Sequence, residues 1–175
     1  MEFTRLEEVR AGWSGDRKYH AWDDGGKEFF LRLSQPEKWE KAQSAFALQE
    51  KAFQLGLPVS EPIELAQEEG QVRFVERWLS GQMAEDALPA LPQEEQYRLG
   101  REAGRVLRAL HGCPAPAEAE DWESRFNRKI ERKIQLYREC PFQYENGEAF
   151  IRYMEENRGL LRGRPQCMQH GDYHT

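Results

Sequence analysis

Cysteine is scarce in this sequence. The three that occur, Cys113, Cys140 and Cys167, are odd in number and form no C-x-x-C pair. That argues against a disulfide framework and fits reduced thiols in a cytoplasm. Long hydrophobic runs are missing too. No stretch approaches the roughly 20 apolar residues that span a bilayer, and the opening "MEFTRLEEVR" carries no apolar signal segment. A basic excess is also absent. Lys and Arg number 25 against 31 Asp and Glu, a formal charge of −6, so the basic footprint that nucleic acid requires is not there. This acidity is compatible with a cationic small substrate, although solubility alone accounts for it.

What remains is the composition of a water-soluble globular protein, with 39% hydrophobic and 32% charged residues. A chain of 175 residues suffices for one compact domain or two small lobes. The first third reads as strands followed by a helix. "EFTRLEEV", "KYHAWDD" and "KEFFLRLS" carry aromatic and branched residues in short runs. The second and third are joined by Asp23 to Lys27, where Asp-Gly-Gly signals a hairpin because glycine accepts positive φ. The first and second are joined by "AGWSGDR", a loop with Gly12 and Gly15 on either side of Trp13 and Ser14. Taken alone it is a hairpin connection; it is also the kind of loop that brings backbone N–H groups close to a phosphate.

Pro36 suits the first position of a helix that "LGLP" ends, with Gly56 at its C′ position. Two apolar stripes run along it, Trp39, Ala42, Phe46 and Phe53, and Ala45, Leu48, Ala52 and Leu55, both expected in the core. "VRFVERW" then reads as a strand, giving a three- or four-stranded antiparallel sheet crossed by one long helix. After "RWLSG" the pattern is helical. Pro92 to Gly112 has helical spacing, with Gly100 and Gly104 placed where another helix would pack closely. "DWESRFNRKIERKIQLYREC" is amphipathic, and its Arg and Lys residues read as a solvated face. "NGEAFIRYMEENRGLL" is a further helix, and "QCMQ" a short strand leading into the terminal "HGDYHT". The expected fold class is α+β.

The terminal motif admits two chemistries. Cys167, His170, Asp172 and His174 are all capable metal ligands at short spacing, and Cys167, His170 and His174 could close around zinc. Alternatively, Asp172 accepts the proton of an attacking hydroxyl in a phosphoryl-transfer loop that His170 holds in place. The order along the chain favours the second: glycine loop, strand ending in a basic residue, long helix, hinge, helices, then H-G-D.

In that order, "GWSGDRKY", "FFLRLS", "LGLPVSEPIEL", "RWLSG", "GREAGRVLRALH" and "HGDYHT" resemble the aminoglycoside phosphotransferase-like small-molecule kinases, a family sharing the protein-kinase fold. The resemblance runs from about Leu6 to Thr175. It implies a protein-kinase-like architecture, with an N-terminal nucleotide-binding lobe over residues 1–80 and the first part of a mainly helical lobe over residues 81–175. It implies ATP or GTP as phosphoryl donor, and a hydroxyl of an aminoglycoside or similar small molecule as acceptor, with no nucleic acid or membrane partner. Antibiotic resistance would be one role of such an enzyme. In its terms Asp172 is the catalytic base and His170 the anchor of its loop. Gly12, Ser14 and Gly15 cover the nucleotide phosphates, Arg32 contacts them, and backbone groups of Arg77 and Leu79 meet the base, with Trp78 between them packed.

Two departures accompany the resemblance. The family's helix glutamate, partner of the strand-three cation, falls on Ala45. Glu50 points about 140° away at roughly 100° per residue, while Gln49 lies close enough to hydrogen-bond in its place. The family's Mg²⁺ ligands, an asparagine five residues past the aspartate and a later acid, fall beyond Thr175. The expectation is therefore either a truncated piece of a longer kinase or a catalytically incomplete nucleotide-binding, scaffold-like chain.

Overall fold

The structure, a computed structural model, describes every residue except Ala11, Trp13, His174 and Thr175. By packing, the chain divides into two units: Met1–Leu110 with the segment that begins at His170, and His111–Gln169. The first unit holds one antiparallel sheet of β1 (Arg5–Glu8), β2 (Arg17–Trp22), β3 (Glu28–Ser34), β4 (Pro62–Glu68) and β5 (Gln71–Arg77), in the order β1-β2-β3-β5-β4.

The β2–β3 hairpin sets the register that matters most. Asp23 Oδ1 accepts from the Lys27 amide at 2.8 Å and the Asp23 carbonyl accepts from the Gly26 amide at 3.1 Å. Gly26, at φ +76, supplies the left-handed turn residue. The turn brings Trp22 opposite Glu28 and therefore Lys18 opposite Arg32.

Among the described residues five strands stand where three or four were expected, and β4 is the strand the sequence hides. Its run PIELAQE begins with proline and alternates weakly, but it is joined to β5 by a two-residue turn. Glu69 and Gly70 there both have positive φ, +49 and +72, the signature of a type I′ hairpin. Pro62 is tolerated because β4 is an edge strand and Pro62 its first residue.

Alternation along the strands gives the sheet two faces. One buries Ala21, Phe29, Leu31 and Val75, with Phe3, Tyr19, Leu33 and Ile63 packed against them. On the other, Phe74 meets Phe46 edge-on at 5.4 Å between ring centres. Phe46 belongs to α1 (Trp39–Gln54), which follows a single 3-10 turn at Pro36–Lys38. The helix ends as the sequence indicates: Gly56 sits at φ +73, with the Leu57 amide bonded to the Ala52 carbonyl and the Gly56 amide to that of Phe53. The expected pair of core stripes on α1 is corrected. Only Ala42 and Ala52 are buried, whereas Leu48, Phe53 and Leu55 are exposed. The helix packs chiefly on β4 and β5, which covers a narrow strip and favours small side chains there.

The unit continues through a short helix, α2 (Ala84–Ala87), and a 3-10 turn at Leu88–Ala90 into α3 (Gln93–His111). The close helix contact expected at Gly100 and Gly104 is not formed among the described residues of the first unit. A methyl group added at either would meet nothing within 4 Å among the described residues.

The second unit contains α4 (Trp122–Glu139) and α5 (Gly147–Glu156), followed by a 3-10 turn at Arg158–Leu161. Asp121 caps α4 by accepting from the Ser124 amide at 3.0 Å. Ile134, Ile151 and Met168 are buried here. "QCMQ" is not a strand: it makes a single bridge, Cys167 opposite Pro114, flanked by bonds from Ala115 N to Gln166 O and from Met168 N to Cys113 O. Among the described residues no disulfide joins Cys113, Cys140 and Cys167. No helix among the described residues is long and apolar enough to cross a membrane.

Candidate functional site

The loop between β1 and β2 is closed at its base by the Val9 amide, which bonds the Lys18 carbonyl at 2.8 Å. Gly12 and Gly15 both take positive φ, +87 and +67, and Ser14 between them is exposed. The loop is held from outside by Lys38, at the entry to α1. Its Nζ donates to Asp16 Oδ1 at 2.6 Å and, at 3.4 Å, to the Ser14 carbonyl. The Asp16 side chain is only 8% exposed. That burial by itself would raise its pKa. Hydrogen bonds from Lys38, Ser34 and Ser14 and the charge on Lys38 outweigh it, so Asp16 titrates below its ordinary value.

Lys18 lies beneath the loop. A Cβ on Gly12 would stand 3.0 Å from its Nζ, so the bare glycine is what lets the ammonium lie against the loop. Arg32, directly across from Lys18 on β3, is half-buried with its guanidinium 4.7 Å from the ring centre of Phe74. Among the described residues it makes no ion pair. Gln49 does not reach it, contrary to expectation. Gln49 Nε2 instead donates to the Ser60 carbonyl at 2.9 Å and to the Glu76 carboxylate, while Ala45 is half-buried and Glu50 exposed. The side chain that could have stood in for the helix acid is therefore used to tie α1 to β5.

The two residues expected at the hinge, Arg77 and Leu79, differ. The Arg77 amide donates to the Glu61 carbonyl at 2.8 Å, and the Arg77 carbonyl accepts from the Ser60 hydroxyl. Leu79 is 63% exposed, and no described hydrogen bond uses its backbone. Between them Trp78 stacks on His20 at 3.7 Å and 7°, and Trp22 covers the other side of that imidazole at 3.8 Å. His20 Nε2 lies 2.6 Å from Glu28 Oε2. Trp78 is thus a packing residue, as the sequence suggested.

In the terminal motif, Gly171 at φ +83 turns the chain so that the Asp172 amide faces His170 Nδ1 at 3.4 Å. The imidazole stands edge-on to Tyr173 at 5.3 Å, and the Tyr173 hydroxyl donates to the Ala103 carbonyl of α3 at 3.0 Å. His170, Gly171 and Asp172 are exposed. Among the described residues no three His, Cys, Asp or Glu side chains converge on a common point. Asp172 is the one carboxylate between His170 and Tyr173, too few oxygens to hold a magnesium ion unaided. The Cys167, His170, His174 alternative lies partly outside the described residues, since His174 is not among them.

Sequence reasoning missed Asp16, Lys18, Lys38, His20 and Tyr173. Hairpin arithmetic from Asp23–Lys27 would have paired Lys18 with Arg32. No sequence signal links Asp16 to Lys38, which are 22 residues apart.

A sequence model described as the phosphotransferase enzyme family (APH) matches residues 5–175. Among solved structures, an aminoglycoside-3'-phosphotransferase of type VIII superposes with a TM-score of 0.56 at 18% identity, over 87% of this chain and 58% of its own. A protein assigned as a fructosamine-3-kinase from Haemophilus somnus 129PT gives a TM-score of 0.62 at 10% identity, over 94% of this chain and 58% of its own. APH(2")-IIia, in its complex with GDP and kanamycin, gives 0.53 at 15% identity, over 91% and 54%. The chain therefore spans less than two thirds of each of these structures. At these identities they share its fold, an α+β arrangement of the kinase-like kind. No curated protein matches the chain.

Proposed function

The chain belongs to the phosphotransferase enzyme family, and from that premise we propose that it is the nucleotide-binding and proton-accepting part of a small-molecule kinase. The donor is ATP or GTP, and the acceptor is a hydroxyl of an aminoglycoside or similar small molecule. The nucleotide supplies the phosphoryl group. The observation that carries the reading is the strapped loop, Gly12 and Gly15 at positive φ, with Lys18 against it and, across from Lys18 on β3, an arginine with no carboxylate partner among the described residues.

Each residue then has one task. The backbone from Gly12 to Gly15, with Ser14, donates to phosphate oxygens. Arg32 offers its planar fork to the same oxygens. The open backbone of Leu79 recognises the base; Arg77, whose amide is taken by Glu61 and whose carbonyl accepts from the Ser60 hydroxyl, shapes the hinge and offers the base the second lone pair of that carbonyl. Asp172 accepts the proton of the acceptor hydroxyl, and His170, bonded to the Asp172 amide, keeps that carboxylate oriented. Residues 1–80 form the nucleotide-binding lobe and residues 81–175 the start of the acceptor-binding one.

A second reading, a chain that binds nucleotide without turning it over, is favoured by one observation: α1 brings no acid to Arg32. One experiment separates them. The full-length protein, given MgATP or MgGTP with a panel of aminoglycosides and small alcohols, should release nucleoside diphosphate only with an accepted alcohol. Asp172→Asn should lower kcat by about 10²- to 10⁴-fold while leaving nucleotide affinity unchanged. Nucleotide binding without turnover on any acceptor selects the second reading. Turnover unaffected by Asp172→Asn refutes the base assignment, and absence of nucleotide binding refutes both readings.

A further inference from the structure

β5 ends at Arg77, and Trp78 is held twice just beyond it. Its amide donates to the Glu28 carbonyl at 3.2 Å. Its indole lies nearly parallel to the His20 imidazole, 3.7 Å between ring centres at 7°. His20 is itself fixed from two directions. Trp22 covers the other side of its ring at 3.8 Å, and Nε2 stands 2.6 Å from Glu28 Oε2. Glu28 therefore closes a circuit. Its carbonyl takes the Trp78 amide, and its carboxylate takes the imidazole that stacks on the Trp78 ring. Strand register builds this circuit: Trp22 is opposite Glu28, and His20 is two residues back on the same face of β2. The His20 side chain is 16% exposed, and a hydrogen bond to a carboxylate gains strength where water is scarce. Leu79, next along the chain, is 63% exposed, and no described hydrogen bond uses its backbone. The direction in which Leu79 presents its backbone groups therefore follows from where Trp78 is held.

We propose that His20 is a positioning residue for base recognition, an inference that rests on the nucleotide-binding reading above. It acts through Trp78. The imidazole, wedged between two indoles and tied to Glu28, fixes the ring of Trp78 and so the place from which Leu79 meets the base. Its influence falls on the base and not on the phosphates. Loss of the wedge should therefore weaken a nucleoside and its triphosphate by the same factor.

The test uses the chain Met1–Thr175, with isothermal titration of MgATP and of adenosine, and with amide hydrogen exchange in the absence of nucleotide. His20→Ala removes the ring. His20→Phe keeps a ring to stack and drops the bond to Glu28, and circular dichroism checks that each variant is folded. His20→Ala should weaken MgATP and adenosine alike by about 3- to 10-fold, the range for losing one aromatic pair. The Trp78 amide should exchange faster by a similar factor, while the amides of the β4–β5 ladder keep the parent's rates. His20→Phe should recover most of both losses. Parental affinity and parental Trp78 exchange in His20→Ala overturn the positioning role and leave the nucleotide reading intact. Faster exchange spread equally over the β4–β5 ladder, or a His20→Phe variant as weak as His20→Ala, also overturns it. Faster exchange confined to Trp78, in a parent that binds neither MgATP nor adenosine, supports the wedge and overturns the nucleotide reading. Unchanged exchange in such a parent overturns both.

Discussion

Replacing Asp16 by asparagine tests whether the glycine loop is held electrostatically. Asp16 is 8% exposed and accepts from Lys38 at 2.6 Å, with the hydroxyls of Ser34 and Ser14 also bonded to it. Asn keeps the shape and removes the charge. Hydrogen bonds to a charged group contribute about 1.5–3 kcal/mol. The Lys38 side chain is 41% exposed, and solvent screening brings the expected loss to about 1–2 kcal/mol. With a urea slope of about 2 kcal/mol/M, the midpoint at pH 7 should fall by about 0.5–1 M. The pH dependence sharpens the test. The carboxyl of Asp16 titrates below its ordinary value of 3.8 in the folded protein. Its contribution is complete above that ordinary value and is lost as pH falls through the lower, folded one. The gap between parent and Asp16→Asn should therefore be flat from pH 7 to about pH 5 and close towards pH 2.5, because the other carboxylates are common to both proteins and cancel. Native-state hydrogen exchange at the β2 and β3 amides should localise the loss to the first unit. An unchanged midpoint at pH 7, or a gap as large at pH 2.5 as at pH 7, refutes the electrostatic account of the loop.

Two substitutions test the scaffold. Glu69 holds φ +49 in the β4–β5 turn, so Glu69→Asn, which accepts that conformation, should stabilise by about 0.5–1 kcal/mol and raise Tm by roughly 1–4 °C in calorimetry. No rise would mean that the turn conformation is not strained. Gly147→Ala should destabilise by about 1–3 kcal/mol. Its Cβ would fall 1.7 Å from the Tyr137 hydroxyl and 2.4 Å from Cζ, and Tyr137 also accepts from the Tyr144 amide at 3.0 Å. A urea midpoint equal to the parent's would show that the ring moves aside without cost.

The sequence was most legible where short-range rules apply. Asp23 to Lys27 announced a hairpin because few residues can turn the chain that tightly. Pro36 and Gly56 bracketed α1 because one lacks an N–H and the other lacks a Cβ. β4 escaped because its alternation is diluted by acids and a proline, and because its signal lies in the turn after it. The α1 stripes were overread: periodicity shows which residues share a face, not how much of that face a neighbour covers. Gly100 and Gly104 failed for the same reason, since a small residue permits a close contact but does not create one.

The sequence by itself determined the order of chemical parts along the chain, from glycine loop to basic strand, long helix, hinge and H-G-D. That order fixed the fold class, because each part depends on residues close together in the chain. Tertiary structure alone decided who meets whom. It set Lys18 against Arg32, gave Asp16 to Lys38, turned Gln49 to Ser60 and Glu76, and sandwiched His20 between Trp22 and Trp78. These partners lie between 2 and 58 residues apart. Only packing and strand register, which sum over the whole sheet, select among the partners that charge and shape would allow.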